Sequence, residues 1–299
     1  MNKTFCISAL ASASLFFAAC GSGSQEDKET AVGTGRSDTE NKYTIHRNIK
    51  ASTFWAGEGE SDANGNISNV PSAWDDKWGD KYKVNGKAKE DSPNKKLQRD
   101  KDFIPNGYNG TENLYYFALP YNDMSRLVFE DEKASLSKLE AVIALDAVNY
   151  SKSGQEVRTK SFSGGRKINA RNIPWYTTKD WSSEESVVKG RWIRVRSFER
   201  GGNGEWVYAQ WLDAGPFHYD DFHYVFGDSK PRNEYQDIGV NPFAGIDLSP
   251  AVLLKMGVSH NEISNGGINL IVEWQFEDDK YVPGGPWKRF VSDNKCHWD

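Results

Sequence analysis

The chain has 299 residues, a formal net charge of −5 and a mean hydropathy of −0.71. No block rich in Lys and Arg stands out, which argues against nucleic acid as a partner, because phosphate binding requires a basic surface. After the N-terminal region, no segment is apolar over the about 20 residues that a membrane-spanning helix needs. These features leave a polar chain with room for one large domain or for a small domain with insertions.

Residues 1–20, MNKTFCISALASASLFFAAC, have the pattern of a secretory signal peptide. A run of Ala, Ser, Leu and Phe follows Lys3 and ends with small residues before Cys20. This ending resembles a bacterial lipobox, and an ordinary signal peptide with an incidental cysteine is the alternative. The resemblance implies a membrane anchor through a lipidated Cys20 in the cell envelope and, because Gly21 follows, sorting to the outer membrane.

Residues 21–48 are rich in Gly, Ser, Thr and charged side chains, so we expect a flexible tether there. The folded domain is then expected over residues 49–299. Cys6 leaves with the signal peptide and Cys20 is lipidated, so Cys296 stays alone and we expect no intramolecular disulfide.

Short apolar and aromatic segments separated by Gly, Pro, Asn and Asp predict strands in the rest of the chain. Ser249 and Pro250 predict a helix start, because Ser favours the N-cap and Pro the first helical position. In chain order we expect a strand at 52–55, long loops at 61–110, a strand at 114–119, a helix within 133–148, a hairpin with arms at 191–197 and 205–212, the helix after Ser249, and a strand at 268–276.

The content of 11 Trp, 13 Tyr and 15 Phe is high for such a polar chain. Part of this set must form the core. The remainder is typical of sugar-binding faces, because an aromatic ring offers flat apolar area with a polar edge.

Two segments of the last third resemble one family. In YAQWLDAGPF, Asp213 precedes Ala-Gly-Pro-Phe, and in GIDLSPAVLLKMG, Asp247 lies just before the predicted helix. Together with the strands that contain Thr53-Phe54-Trp55 and Phe117-Ala118-Leu119-Pro120, they are similar to the barrel shared by rare lipoprotein A and the bacterial expansins. The stronger similarity covers about residues 190–276.

The resemblance implies an all-β fold: a six-stranded double-psi β-barrel with a few short helices. Long insertions at about 61–110 and 125–185 distinguish this chain from a minimal barrel. The absence of alternating strands and helices independently favours a barrel or a sandwich.

The resemblance also implies a groove that handles cell-wall polysaccharide, with Asp213 and Asp247 on its rim. Glycosidic cleavage needs an acid that protonates the leaving oxygen and usually a second carboxylate. Asp213 is predicted as the general acid. The family's Ala-Ala-His segment is missing here, so Glu58 or Asp123 is predicted to replace its histidine. The predicted substrate-binding aromatic residues are Trp55, Tyr121, Trp211 and Phe217.

Other interpretations of these residues stay open. Asp213 can cap a turn, and Asp247 can orient the helix that follows. His218 and His223 have a spacing that suits metal ligation poorly, so we expect no metal and no other cofactor. Three functions remain at this point: an enzyme that cleaves peptidoglycan or a related polysaccharide, an expansin-like module that binds wall polysaccharide without cutting it, and a structural envelope lipoprotein.

Overall fold

The computed structural model describes residues 40–58, 71–88, 91, 97–123, 146–150, 157–161, 164–168, 173–176, 185–199, 204–216, 221–232, 244–265, 268 and 270–297. The strands in these ranges are β1 (Ile45–Thr53), β2 (Lys83–Val84), β3 (Lys87–Ala88), β4 (Tyr116–Leu119), β5 (Asp146–Tyr150), β6 (Val157–Ser161), β7 (Gly164–Ile168), β8 (Trp192–Arg196), β9 (Val207–Ala214), β10 (Ala244–Leu248) and β11 (Leu270–Glu277). The α-helices are short: α1 (Phe222–Val225), α2 (Pro250–Lys255) and α3 (His260–Ser264).

Six strands close into a barrel in the order β1-β10-β4-β9-β8-β11. The pairs β1–β10 and β4–β9 run parallel, and the other four pairs run antiparallel. Both parallel pairs join strands that are distant along the chain. Closure leaves no unpaired strand edge in this sheet. The prediction of an all-β, six-stranded barrel with a few short helices is confirmed.

The predicted start of α2 is also confirmed. The Ser249 hydroxyl accepts a hydrogen bond from the backbone N–H of Val252, and Pro250 occupies the first turn. The helix places Ala251, Val252 and Leu253 fully inside the core. Because α2 begins two residues after β10, the Ser-Pro cap also fixes where that strand ends.

The first predicted insertion contains a hairpin that the sequence interpretation assigned to loop. Strands β2 and β3 pair in an antiparallel ladder. The two residues between them, Asn85 and Gly86, both have positive φ, at 53° and 74°. Asn-Gly is the preferred dipeptide for such a two-residue turn, so the signal was present in the sequence.

The second predicted insertion contains a three-stranded sheet, β5-β6-β7. The helix expected within 133–148 is wrong at its end, because Asp146, Ala147 and Val148 belong to β5 and Asp146 pairs with Lys160 of β6. The rest of that helix, up to residue 145, lies outside the described residues.

The folded part of the chain begins earlier than the predicted boundary at residue 49. Strand β1 already starts at Ile45 and pairs with β11 from there. Upstream of it, the Asn41 side chain donates to the Phe276 carbonyl at 2.8 Å, and the Tyr43 hydroxyl donates to Asp278 at 2.5 Å. These contacts fix residues that the composition assigned to the tether.

Aromatic side chains fill the interior of the barrel. The fully buried Trp211 of β9 lies 5.9 Å from the ring of Phe117 on β4 and 6.0 Å from Phe276 on β11. Phe226, which follows α1, closes the group at 6.3 Å from Trp211. Much of the aromatic content that marked the sequence is therefore core.

Candidate functional site

The two aspartates of the resembling segments lie in one row across the barrel wall. Asp247 of β10 pairs with Ser52 of β1 on one side and with Ala118 of β4 on the other. Ala118 in turn pairs with Asp213 of β9. Directly paired residues project from the same face of a sheet, so both carboxylates share a face. Two interstrand spacings separate their backbones, a distance of about 10 Å.

This face points away from the barrel interior but is itself largely covered, since Ser52 and Ala118 are each 1% exposed. Ile246 and Leu248, on either side of Asp247, are fully buried, whereas Asp247 itself is partly exposed. Side chains alternate along a strand, so Asp247 projects away from the interior. Asp213 lies on the same side but is covered to a greater extent, with 6% of its surface exposed.

Asp247 has the environment of a proton donor. Burial raises the pKa of its carboxyl group from 3.8 to about 7, and the hydrogen bond from Ser52 opposes this rise. The Ser52 hydroxyl donates that bond to Asp247 Oδ1. A carboxyl group with a pKa near the working pH holds its proton and can still release it, as general acid catalysis requires.

Gly215 lies close against the second carboxyl oxygen of Asp247. A Cβ atom at position 215 would lie 3.2 Å from Asp247 Oδ2 and 3.8 Å from the Ala118 Cβ. This contact is tighter than ordinary van der Waals packing, so glycine suits the position. The Ala-Gly-Pro sequence after Asp213 therefore carries the chain past Asp247 without covering its carboxyl group with a side chain.

Asp213 has the environment of an anion. Its Oδ1 accepts hydrogen bonds from the backbone N–H groups of Ala73 and Ala214, both at 2.8 Å. N–H donors bind a charged carboxylate more strongly than a neutral acceptor. The indole N–H of Trp211 also donates to the Asp213 carbonyl at 2.8 Å, which fixes the backbone at this point. The two acids therefore differ in electrostatic environment.

The other two predicted acids are fully buried. Glu58 follows the end of β1, and its backbone N–H donates to the Trp55 carbonyl at 3.1 Å. Asp123 accepts hydrogen bonds from three residues that lie side by side along the chain, Ser186, Val187 and Val188, as well as from the Trp74 indole. These contacts give Asp123 a structural function, which is to hold the 186–188 segment.

The aromatic side chains predicted to stack on sugar belong to the core instead. Trp55 is 2% exposed, and Tyr121 and Trp211 are fully buried. Packing on both faces leaves no ring surface for a sugar. The sequence gave no sign of which face of its strand each of these aromatic side chains occupies.

Several sequence predictions fall on residues that lie outside the described ranges. They are the lipidated Cys20, the tether up to residue 39, and Phe217 after the Gly215–Pro216 bond. Among the described residues, no helix is long and apolar enough to cross a lipid bilayer. Cys296 lies within the described part of the chain as a buried free thiol.

Two partners of the site were not found from the sequence. Ser52 is one polar residue among many near the N-terminus of the domain, and only the β1–β10 register identifies it. Ala73 contributes a backbone N–H, which no side-chain pattern can reveal. The pairing of distant strands was the missing information in both cases.

The electrostatics of Asp247 predict a specific pH dependence of stability. Between the ordinary pKa of 3.8 and the folded-state pKa of about 7, the folded chain holds a proton that the unfolded chain releases. Stability attributable to this group therefore falls as pH rises through that window and is level above it. From pH 4.5 to 8, the free energy of unfolding of the wild type should fall by about 1–3 kcal/mol more than that of Asp247→Asn, with allowance for the partial exposure of the group.

Urea unfolding of both proteins from pH 4.5 to 8 measures this difference. Burial also lowers the pKa of His46 to about 4, which costs stability at acid pH, but this contribution is the same in both proteins and cancels. Parallel pH profiles for the two proteins would contradict the raised pKa of Asp247.

Comparison with known proteins adds no relative: no family model, no curated protein and no solved structure matches this chain.

Proposed function

We propose that this protein acts on a cell-wall polysaccharide and cleaves its glycosidic bonds, with Asp247 as the general acid. One observation carries the proposal: the row Ser52–Asp247–Ala118–Asp213 places two carboxyl groups with opposite environments on one face of the barrel. Pairs of acids whose environments differ in this way are typical of acid–base catalysis.

The proposed roles differ from the sequence prediction in one respect. The sequence assigned the proton to Asp213, but two backbone N–H groups complement that carboxylate as an anion. Asp247, protonated near neutral pH, donates its proton to the leaving glycosidic oxygen. Asp213 then acts as the negatively charged partner, which stabilises the positive charge that develops on the sugar or activates a water molecule.

The backbone separation of the two acids bears on the stereochemistry. Inverting glycosidases hold their carboxyl groups about 6.5–9.5 Å apart, and retaining enzymes about 5–5.5 Å apart. The backbone separation of two interstrand spacings, about 10 Å, is closer to the wider arrangement than to the narrower one. In an alternative mechanism, a hydroxyl group of the sugar itself attacks the anomeric carbon. That mechanism needs only Asp247 as the proton donor and is also compatible with this geometry.

The barrel topology supports a double-psi assignment as part of the same proposal. Its two parallel pairs join strands far apart in sequence, and the two resembling segments fall on β9 and β10, the neighbours of β4 on either side. A signal peptide and a lipidated Cys20 would bring such a domain to the cell envelope, where its substrate is found.

A second candidate function is an expansin-like module that binds wall polysaccharide without cutting it. The burial of Glu58 and Asp123 favours this candidate, because both side chains are covered by protein and the Asp123 carboxylate is already occupied by hydrogen bonds from Trp74 and the 186–188 segment. The same face would then hold a glycan chain through hydrogen bonds from Asp247 and its neighbours.

One experiment separates the two functions. The purified chain is incubated with peptidoglycan sacculi and, in parallel, with chitin and cellulose, and soluble products are identified by mass spectrometry. The proposal expects released fragments with new reducing ends or anhydro ends. Co-sedimentation without products would support the binding module. Neither products nor co-sedimentation with any of the three polymers would overturn both functions.

A further inference from the structure

We propose that a second cavity, separate from the Asp247 face, binds a sugar acid, that is, a monosaccharide-sized ligand with a carboxylate and several hydroxyl groups. The cavity has a volume of about 280 Å³. It lies between the 186–192 segment, Gln210 of β9, the end of β11 and residues 291–294 near the C-terminus. It shares no lining residue with the Ser52–Asp213 row.

Lys189 provides the first feature that points to a ligand. Its side chain is 1% exposed, and its ammonium group donates one hydrogen bond, to the Lys295 carbonyl at 2.5 Å. The exposed Asp293 carboxylate lies 3.6 Å from this ammonium group. An ammonium group has three donors, and burying the charge without replacing its hydration is costly. The cavity is therefore lined by a cation with unused donor capacity.

Arg191 provides a second cation on the same wall. Its Nε donates to the Val187 carbonyl at 3.3 Å, and its guanidinium lies 5.0 Å from the centre of the Trp175 ring. Burial lowers the pKa of this guanidinium, the direction expected when lost hydration is not fully replaced. Within the described part of the chain its terminal nitrogens make no hydrogen bond to protein. A planar fork of this kind suits a bidentate carboxylate.

The two acids in the lining do not neutralise these cations, because each has a cation of its own. Glu277 lies 3.8 Å from Arg194, and Asp279 lies 2.6 Å from Lys288. Outside the lining, Asp293 pairs with Lys189 at 3.6 Å, and the charge of Asp278 acts on Arg191. The positive charge of the two cations is therefore only partly compensated, and an anionic ligand is favoured.

Size and polarity narrow the ligand further. Pockets for small organic ligands begin at about 300 Å³, so this cavity suits one sugar ring rather than a chain and is too large for a bare carboxylate. The Asn294 amide donates to the Ser186 carbonyl at 3.2 Å, and its oxygen remains as an acceptor at the cavity wall. A hydroxyl group of the ligand can fill that position, while its carboxylate faces Lys189 and Arg191.

The test is calorimetric titration of the full-length chain with D-glucuronate at low ionic strength. Glucose is the matched ligand that lacks the carboxylate, acetate is the small carboxylate, and sulfate is the unspecific anion. We expect glucuronate to bind with a Kd of about 1 mM or tighter and the three controls to bind at least about 10-fold more weakly. Equal affinity for sulfate or glucose would overturn the proposal.

Substitutions in the cavity wall test whether glucuronate binds there. Arg191→Gln should weaken glucuronate binding at least about 10-fold, and Arg191→Lys should restore part of it. Asn294→Ala, a change on a partly exposed residue, should weaken binding of glucuronate but not of acetate. Unchanged binding in Arg191→Gln would place the ligand elsewhere and overturn the proposal. Asp247→Asn should bind glucuronate like the wild type, so this inference and the proposed function can fail separately.

Discussion

Asp247→Asn should reduce glycan cleavage by about 10²–10⁴-fold, the usual contribution of a general acid. The amide keeps the shape of the side chain and can still accept the Ser52 hydrogen bond, but it has no proton to give to the leaving oxygen. Because the raised pKa of Asp247 costs stability above neutral pH, the variant should be at least as stable as the wild type at pH 8. Loss of activity with retained stability is the signature of a catalytic residue.

Two further variants make this result specific. Asp228→Asn removes an exposed acid elsewhere and should leave the rate unchanged. Ser52→Ala removes the hydrogen bond that lowers the pKa of Asp247, so the pKa should rise and the alkaline limb of the pH–rate profile should move to higher pH. Rates are measured on sacculi from pH 5 to 9. Cleavage by Asp247→Asn at the wild-type rate would exclude Asp247 as the acid and, with it, the proposed mechanism.

The strands of the last third were predictable because local chemistry and tertiary structure agree there. The arms of the β8–β9 hairpin, the capped start of α2 and the apolar alternation of β11 each follow from short-range patterns. In β11, Leu270, Val272, Trp274 and Phe276 are buried, as the alternation predicts. For β8, β9 and β11 the predicted bounds differ from the observed ones by two residues or fewer, whereas β10 (Ala244–Leu248) was not predicted as a strand.

Gln275 shows where alternation fails. It lies on the opposite face of β11 from these four residues, where simple alternation would place exposed side chains, yet it is 1% exposed. Its side chain accepts hydrogen bonds from the guanidinium of Arg194 and donates to the Tyr43 carbonyl. The N-terminal segment that the composition assigned to the tether covers this face, so the burial of Gln275 depends on residues more than 200 positions away.

The candidate site was predictable in its residues but not in their roles. The two segments that contain Asp213 and Asp247 were identified from the sequence, and the barrel brings them into one row. The environment of each acid is set by Ala73 and Ser52, which come from a loop and a strand near the N-terminus of the domain. No local pattern around an aspartate shows whether its partner is a backbone N–H or a hydroxyl group, so the sequence assigned the proton to Asp213, whereas our proposal assigns it to Asp247.

The partners of Asp123 were likewise not visible in the local sequence. Its replacement has the largest expected effect on stability. Asp123→Ala should reduce the free energy of unfolding by about 3–5 kcal/mol, the range for removing one partner from a buried charged network. The variant leaves the Trp74 indole N–H, the Ser186 hydroxyl and the Val187 N–H buried without their acceptor, at distances of 2.6–2.9 Å in the wild type. Each such donor costs about 1–3 kcal/mol when it is left without a partner.

Urea denaturation at pH 7 measures this loss, with Asp228→Ala as the exposed control, for which we expect a change within about 0.5 kcal/mol. Asp123→Asn should fall between the wild type and the alanine variant, because its amide keeps one acceptor oxygen but turns an NH₂ group toward the remaining donors. A catalytic function, as the sequence predicted for Asp123, has the opposite signature: reduced cleavage by a variant that unfolds at the wild-type urea concentration. Stability and rate measured on the same Asp123→Ala preparation therefore decide between a structural anchor for the 186–188 segment and a third acid of the site.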